Sequence, residues 1–255
     1  MFSYLKAELY RTRKRMPNIL LLIFGLIGIG LSYYVTAKYS TTKSSSTFLS
    51  NVYSIVQQVV PFMAIMIATA SFKRREEMRN YFQRGMSRLN PVIGDYLVSV
   101  LTTIVFAFIF TAITVALSYT FKDLPAEKFD IYITPKMFIY SILTIVSMII
   151  CMLGGIHLFY ELTNLQGATV AISFLYYFFA PIIFKATGLV SLDSWLGRLA
   201  DWFTRLSPLE YGPVFDNLFQ IGLNPFSEKW FGIMIFVNII LATAIRYLVI
   251  KRKRY

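Results

Sequence analysis

The chain has 255 residues, of which 56% are hydrophobic and only 15% are charged. A soluble domain carries about a quarter charged residues, so this composition excludes an ordinary soluble protein and predicts a membrane protein. The net charge of +12 comes from basic residues that flank apolar runs. That placement favours anionic lipid headgroups over nucleic acid as their partner.

Six apolar runs are long enough to cross a hydrocarbon core about 30 Å thick. They are too long and unbroken for barrel strands, so we predict an all-α membrane protein with one transmembrane domain over residues 1–255. The first run lacks a small-residue cleavage pattern and is therefore interpreted as a span, not a signal peptide. The predicted spans are residues 17–37, 51–71, 92–121, 136–160, 168–188 and 229–250.

Basic residues are concentrated before the first span, between the second and third spans, and after the last span. The positive-inside rule therefore predicts that both termini and residues 72–90 are cytoplasmic. Residues 1–16 place Phe2, Leu5, Leu9 and Met16 at helical spacing among cations, which is typical of an amphipathic interfacial helix.

Residues 191–226 fall on the opposite, extracellular side in this orientation. Within them, residues 192–213 read "LDSWLGRLADWFTRLSPLEYGP" and put tryptophan and leucine on one helical face. Tryptophan is enriched at membrane boundaries, and Pro208 ends the pattern. We therefore predict half-buried extracellular helices, which form a lid before the last span.

The densest charge of the chain is "SFKRREEMRNYFQRGMSR", residues 71–88. Met78, Phe82 and Met86 recur at helical spacing, while Glu76 and Glu77 stand where a helix dipole favours anions. Alternating charge beside an apolar stripe favours a helix that binds another protein. The alternative is a basic loop that only sets topology.

Ionisable residues are scarce inside the spans and lie within a turn or two of a span end: Asp95, His157, Glu161, Lys185 and Arg246. This argues against an ion-coupled carrier. The Glu76–Glu77 pair resembles the start of a membrane protease motif, but Tyr81 occupies the position that needs arginine. We predict no catalytic residue, cofactor site or metal site on this chain.

The sequence has no Walker A loop, so if ATP is used, another chain binds it. His157 could be a ligand or an interfacial hydrogen-bonding residue. Gln57, Gln58, Pro61 and Pro181 lie within predicted spans. They line a transport path on one interpretation and serve helix packing on the other.

Taken together, these features are similar to the integral-membrane permease subunits of type-two ABC exporters, over essentially all of the chain. The shared layout is a basic amphipathic N-terminal helix, "MFSYLKAELYRTRKR", six spans, and a cytoplasmic elbow ending in Gly85-Met86-Ser87-Arg88, which is a G-x-S-R-like turn. It also includes a half-buried lid before the last span, residues 192–213, and the stretch "RLSPLEYG" within it, residues 205–212, sits where the family tends to carry a proline. Asp95 departs from the family, which commonly has lysine or arginine there.

The resemblance implies that two permease subunits, identical or homologous, pair around a central path in a bacterial plasma membrane. Two cytoplasmic ABC ATPase subunits would bind ATP and Mg and move the elbows. The residues expected to couple the ATPase are Arg75, Glu76, Glu77, Arg79, Phe82 and Arg88, with a smaller contact from residues 157–167 that includes His157 and Glu161.

The implied function is export of a hydrophobic or amphipathic substrate, such as a peptide, an antibiotic or a lipid-like molecule. The charge-poor spans suit such a cargo. The alternative is a non-transporting membrane immunity or scaffold protein that binds its target without ATP.

Overall fold

A computed structural model describes residues 2–73, 75–122, 133–179, 195, 198 and 228–253. The described residues are helical apart from short links, which confirms the all-α prediction. The helices are α1 (Phe2–Arg13), α2 (Met16–Tyr39), α3 (Ser45–Ser71), α4 (Arg75–Gln83), α5 (Leu89–Ser118), α6 (Pro135–Thr163), α7 (Gln166–Phe174), α8 (Glu228–Ile235) and α9 (Ala242–Arg252).

Two π-helical turns interrupt the regular helices. Leu175–Phe179 continues α7, and Phe236–Leu241 joins α8 to α9, so residues 228–252 form one continuous last helix. By length and composition, five helical segments of the described chain could cross a membrane: α2, α3, α5, α6 and Gly232–Arg252.

The centre of the bundle is formed by α3 and α6, the two spans with the largest buried share. Small residues on α3, including Ala64 and Ala68, let neighbouring helices approach closely, and both are fully buried. The helix runs on through Pro61, which is also buried. By contrast, only 11% of the apolar window of α5 is buried, as expected of a helix that faces lipid.

The two ends of the bundle differ in chemistry. At one end, Ser44 caps α3 by accepting a hydrogen bond from the Thr47 amide at 3.2 Å, and the Ser46 hydroxyl accepts one from the Ile133 amide at 2.8 Å. At the other end, called the charged end below, α1 and α4 lie beside the last turns of α3, α6 and α9. There Gly85, with a φ of 77°, reverses the chain after α4 in a conformation that favours glycine.

Both π-helical turns meet α6 at a pair of glycines. A Cβ on Gly154 would lie 1.9 Å from the Asn238 carbonyl oxygen, and one on Gly155 would lie 2.1 Å from the Tyr177 hydroxyl. The Tyr177 hydroxyl itself donates to the Met152 carbonyl oxygen at 3.1 Å. The glycine pair therefore sets how closely the last helix and the turn after α7 approach α6.

Gly154→Ala is expected to lower the thermal unfolding midpoint in detergent, because the new methyl group meets backbone atoms that cannot rotate away. Overpacking of this kind costs about 1–3 kcal/mol. Gly167→Ala is the control, since a Cβ there has no neighbour within 4 Å. Equal midpoints for the two variants would show that this contact does not constrain the packing.

The remaining predicted segments fall largely outside the described residues. The predicted fifth span, 168–188, overlaps α7 and its π-helical turn up to residue 179. Of the predicted lid, 191–226, only Trp195 and Arg198 are described, and both are exposed.

Candidate functional site

The charged end contains a group of ionisable side chains contributed by five different segments, and all of them are buried except Lys253, whose side chain is 21% exposed. We call it the charge network, and it consists of Glu8, Lys73, Asp95, Glu161, Arg246 and Lys253. Buried charges are costly unless they are paired. Here positive and negative groups alternate, so each has a partner of opposite sign.

Asp95 on α5 is the centre of the network and is 3% exposed. One carboxylate oxygen pairs with Lys73 and accepts a hydrogen bond from the Tyr4 hydroxyl at 2.7 Å. The other lies 3.2 Å from the Arg246 guanidinium. One carboxylate therefore joins α1, the link after α3, α5 and α9.

Arg246 extends the network to α6. It contacts Glu161 at 3.3 Å and donates to the Val92 carbonyl oxygen at 2.9 Å. Glu161 in turn pairs with Lys253 at 3.2 Å, next to the C-terminus of the last helix. The last helix is thus joined to both α5 and α6 by charged side chains.

Glu8 links the network to α1 and α4. It is 2% exposed and pairs with Arg11 at 2.6 Å and with Lys73 at 3.6 Å. It also accepts a hydrogen bond from the Tyr81 hydroxyl at 2.9 Å. Partial burial and this bond to Glu8 raise the pKa of Tyr81 to about 12, so the phenol keeps its proton and remains the donor.

Two further contacts attach α4 to the bundle. Arg11 pairs with Glu77 at 2.6 Å. Met78 is buried against Val92 and Ile250, and Phe82 packs at the edge of the same cluster. The apolar stripe that favoured a partner surface therefore packs inside the protein, because α4 lies against α5 and α9.

The outward face of α4 is polar. Its exposed side chains are Glu76, Arg79, Asn80 and Gln83, and Arg84 follows on the same surface. Among the predicted coupling residues, Glu76 and Arg79 are accessible, Glu77 is engaged with α1, and the side chain of Arg75 lies outside the described residues. Arg88 donates to the Ile250 carbonyl oxygen at 3.2 Å and to that of Lys251.

His157 and Glu161, the predicted second contact, are both buried in the bundle. His157 Nε2 lies 3.3 Å from the Ser71 hydroxyl and 3.1 Å from the Ser99 hydroxyl. The rings of Phe72 and His157 meet edge to face, with 5.6 Å between their centroids. Neither side chain reaches the surface, so any influence on a partner would pass through their neighbours.

Three of the four residues predicted to line a path lie close together on α3. Gln58 is exposed on α3, Gln57 is half-buried, and Pro61 is buried. Pro181 lies outside the described residues. In the described part of the chain, no cluster of three or more acidic, histidine or cysteine side chains could hold a metal ion.

Sequence reasoning missed the charge network as a unit. Asp95 and Arg246 were read as isolated groups near span ends, and Lys73 as a topology signal. The available signal was an aspartate inside an apolar run together with an arginine inside another. A buried charge of one sign requires its opposite nearby, but the pattern alone does not say which of several cations is the partner.

No protein-family model matches this chain, and no curated protein matches it. The geometry described above is therefore the basis for a functional assignment. It offers no nucleophile with an adjacent base in the charge network. What it offers is a short helix at the charged end that is tied to four spans through α1 and ion pairs.

Proposed function

We propose that this chain is the membrane permease subunit of an ABC exporter, driven by a separate ATPase subunit. The observation that carries the proposal is the arrangement of α4. This helix presents Glu76 and Arg79 outward while Glu77 and Tyr81 hold it to α1. A helix that binds an ATPase subunit with one face and is held to the spans by the other can transmit a displacement of the ATPase to the spans.

The route from α4 into the spans follows charged contacts. Movement of α4 reaches Arg11 and Glu8 on α1, then Lys73, then Asp95 and Arg246. Asp95 lies on α5 and Arg246 on α9, and Glu161 continues the route to α6. Coupling requires an element that both motor and gate can bias, and ion pairs shared by four helices supply such a connection.

The chain direction supports six spans. Residue 166, where α7 starts, lies at the charged end, and α9 also ends there. We therefore propose that a sixth span lies between α6 and the last helix. In the proposal the charged end is cytoplasmic, the predicted lid faces outward, and the bacterial plasma membrane is the location.

The partners in the proposal are two ATPase subunits that carry ATP and Mg, and a second permease subunit, identical or homologous. The substrate class is hydrophobic or amphipathic, because the described spans carry charged side chains only near their ends. A peptide, an antibiotic or a lipid-like molecule fits this description.

Combined Glu76→Ala and Arg79→Ala is expected to reduce the amount of ATPase subunit that co-purifies from native membranes by about tenfold, because two exposed charged contacts are removed. Lys43→Ala with Lys122→Ala is the control, since both side chains are exposed at the opposite end. The measurement is quantitative mass spectrometry of every bound chain. Wild-type protein that brings down no ATPase, yet protects cells from its target, would favour the immunity or scaffold function instead.

Ser194→Cys, within the predicted lid, is expected to react with an impermeant thiol reagent in intact cells. Asn80→Cys, on the exposed face of α4, is expected to react only after lysis. Cys151 is buried and contributes little background. Labelling with the opposite pattern would reverse the orientation and remove α4 from the reach of a cytoplasmic ATPase.

A further inference from the structure

A large apolar cleft lies between four spans, away from the charge network. Its volume is about 440 Å³, and side chains of α2, α3, α5 and α6 form its walls. Protein interiors seldom leave voids much larger than a water molecule. Small-molecule sites measure about 300–1,000 Å³ and are mostly apolar, so this cleft has the dimensions of a binding site.

The side chains that line the cleft are suited to contact with a hydrocarbon. Among the described residues that line the cleft, none is charged, and the polar ones are Ser32, Thr103, Thr111 and Thr114. The hydroxyls of Ser32 and Thr103 are occupied, because they donate to carbonyl oxygens of their own helices at 2.9 Å. The cleft therefore offers a polar group at most the hydroxyls of Thr111 and Thr114, whereas the rest of its wall can contact methylene groups.

The cleft opens sideways, at the depth of the hydrocarbon core. The rim side chains Phe24, Ile55 and Phe62 are 57%, 42% and 45% exposed, whereas Val52 and Ile145 on the inner wall are each 3% exposed. Residues 21–32 of α2 line it, which is the middle of that span. The opening is therefore in contact with the acyl chains of the surrounding lipids.

Glycine on α2 creates the space. A Cβ on Gly28 would meet nothing within 4 Å, so the missing side chain leaves the cleft open at that point. One turn earlier, Gly25 lets the ring of Phe110 approach to where a Cβ would be 2.3 Å away, and this closes the gap between α2 and α5. Apolar walls with no atoms opposite them lose their dispersion contacts, which favours an occupant.

We propose that this cleft binds an acyl chain of a membrane lipid, which enters from the bilayer between the rim residues. The inference does not depend on the proposed function, since it is argued from the walls and rim of the cleft and not from α4 or the charge network. The chain fills the space beside Gly28 and contacts the inner wall at Ile29, Val52 and Ile145.

The test is photolabelling of the full chain in vesicles of phosphatidylcholine whose acyl chain carries a diazirine, with labelled residues mapped by mass spectrometry. Wild-type protein is expected to be labelled at Ile29, Val52 or Ile145 as well as at lipid-facing Phe108, which is 74% exposed and serves as internal standard. Labelling confined to exposed residues in the wild-type protein would overturn the proposal, whatever the variants do.

Gly28→Phe is expected to reduce inner-wall labelling at least fivefold relative to Phe108, because the ring fills the cleft. Gly30→Phe is the matched control: it adds the same ring on the same helix, at a position with no neighbour within 4 Å and outside the cleft. Inner-wall labelling that persists in Gly28→Phe contradicts the proposal. Labelling by a free diazirine-bearing alkane but not by the phospholipid also contradicts it, and would assign the cleft to a free hydrophobic molecule.

Discussion

Asp95→Leu is expected to destabilise the protein by about 3–5 kcal/mol, the cost of removing one partner from a buried ion pair. Both Lys73 and Arg246 lose a counter-charge, and Tyr4 loses its acceptor. The free energy of unfolding, measured by titration with a denaturing detergent, reports the effect. A loss below about 1 kcal/mol would show that Asp95 does not hold these segments together.

The double variant Lys73→Met with Asp95→Leu is the informative control. It removes the pair as a unit, and the neighbouring charges keep partners: Arg246 retains Glu161, and Glu8 retains Arg11. Contacting residues typically show coupling of about 0.5–3 kcal/mol, so the double variant should be more stable than the sum of the single losses. Strict additivity would mean that the two side chains act independently.

Glu8→Ala is expected to loosen α4 from the bundle without unfolding the spans. Tyr81 loses its acceptor and Arg11 loses one of its two carboxylate partners, while Lys73 keeps Asp95. Leaving buried donors unsatisfied costs about 1–3 kcal/mol. Hydrogen–deuterium exchange should therefore accelerate about tenfold or more in residues 75–83, with α3 and α6 unchanged.

Glu76→Ala is the matched control for Glu8→Ala. It removes a carboxylate from α4 itself, but at an exposed position in the first turn, where a favourable dipole interaction is typically about 0.3–1 kcal/mol. It should therefore change exchange in residues 75–83 much less than Glu8→Ala does. Under the proposed function, the two variants also separate binding from coupling. Glu76→Ala weakens ATPase association, whereas Glu8→Ala preserves association and reduces transport. Unchanged exchange in Glu8→Ala would mean that α4 is held by apolar packing alone.

The helical class and most helix positions could be predicted from local pattern. The predicted run 136–160 overlaps α6, and 51–71 lies inside α3, which begins earlier at Ser45 because Ser44 caps it. Polar residues before an apolar run are invisible to a hydropathy criterion but continue the helix. The same limit applies to α5, which begins at Leu89, before the predicted 92.

The interpretation of α4 shows where local pattern was insufficient. Met78 and Phe82 share a helical face, and amphipathicity requires that this face be covered. It does not identify the residues that pack against this face, which are Val92 of α5 and Ile250 of α9. Similarly, α1 buries Tyr4, Glu8 and Thr12 rather than its leucines, because the surface beneath it is the polar charge network.

By itself the sequence determined that this protein is helical and suited to a bilayer. The length of its apolar runs matches the bilayer thickness, and their low charge content follows from the cost of desolvating charged groups. Only the tertiary structure decided which charges neutralise one another. Asp95 and Arg246 are 151 residues apart in the chain, and their pairing depends on how α5 and α9 pack. The cleft is likewise a product of packing, because a glycine leaves a space only where no side chain of a neighbouring helix occupies it.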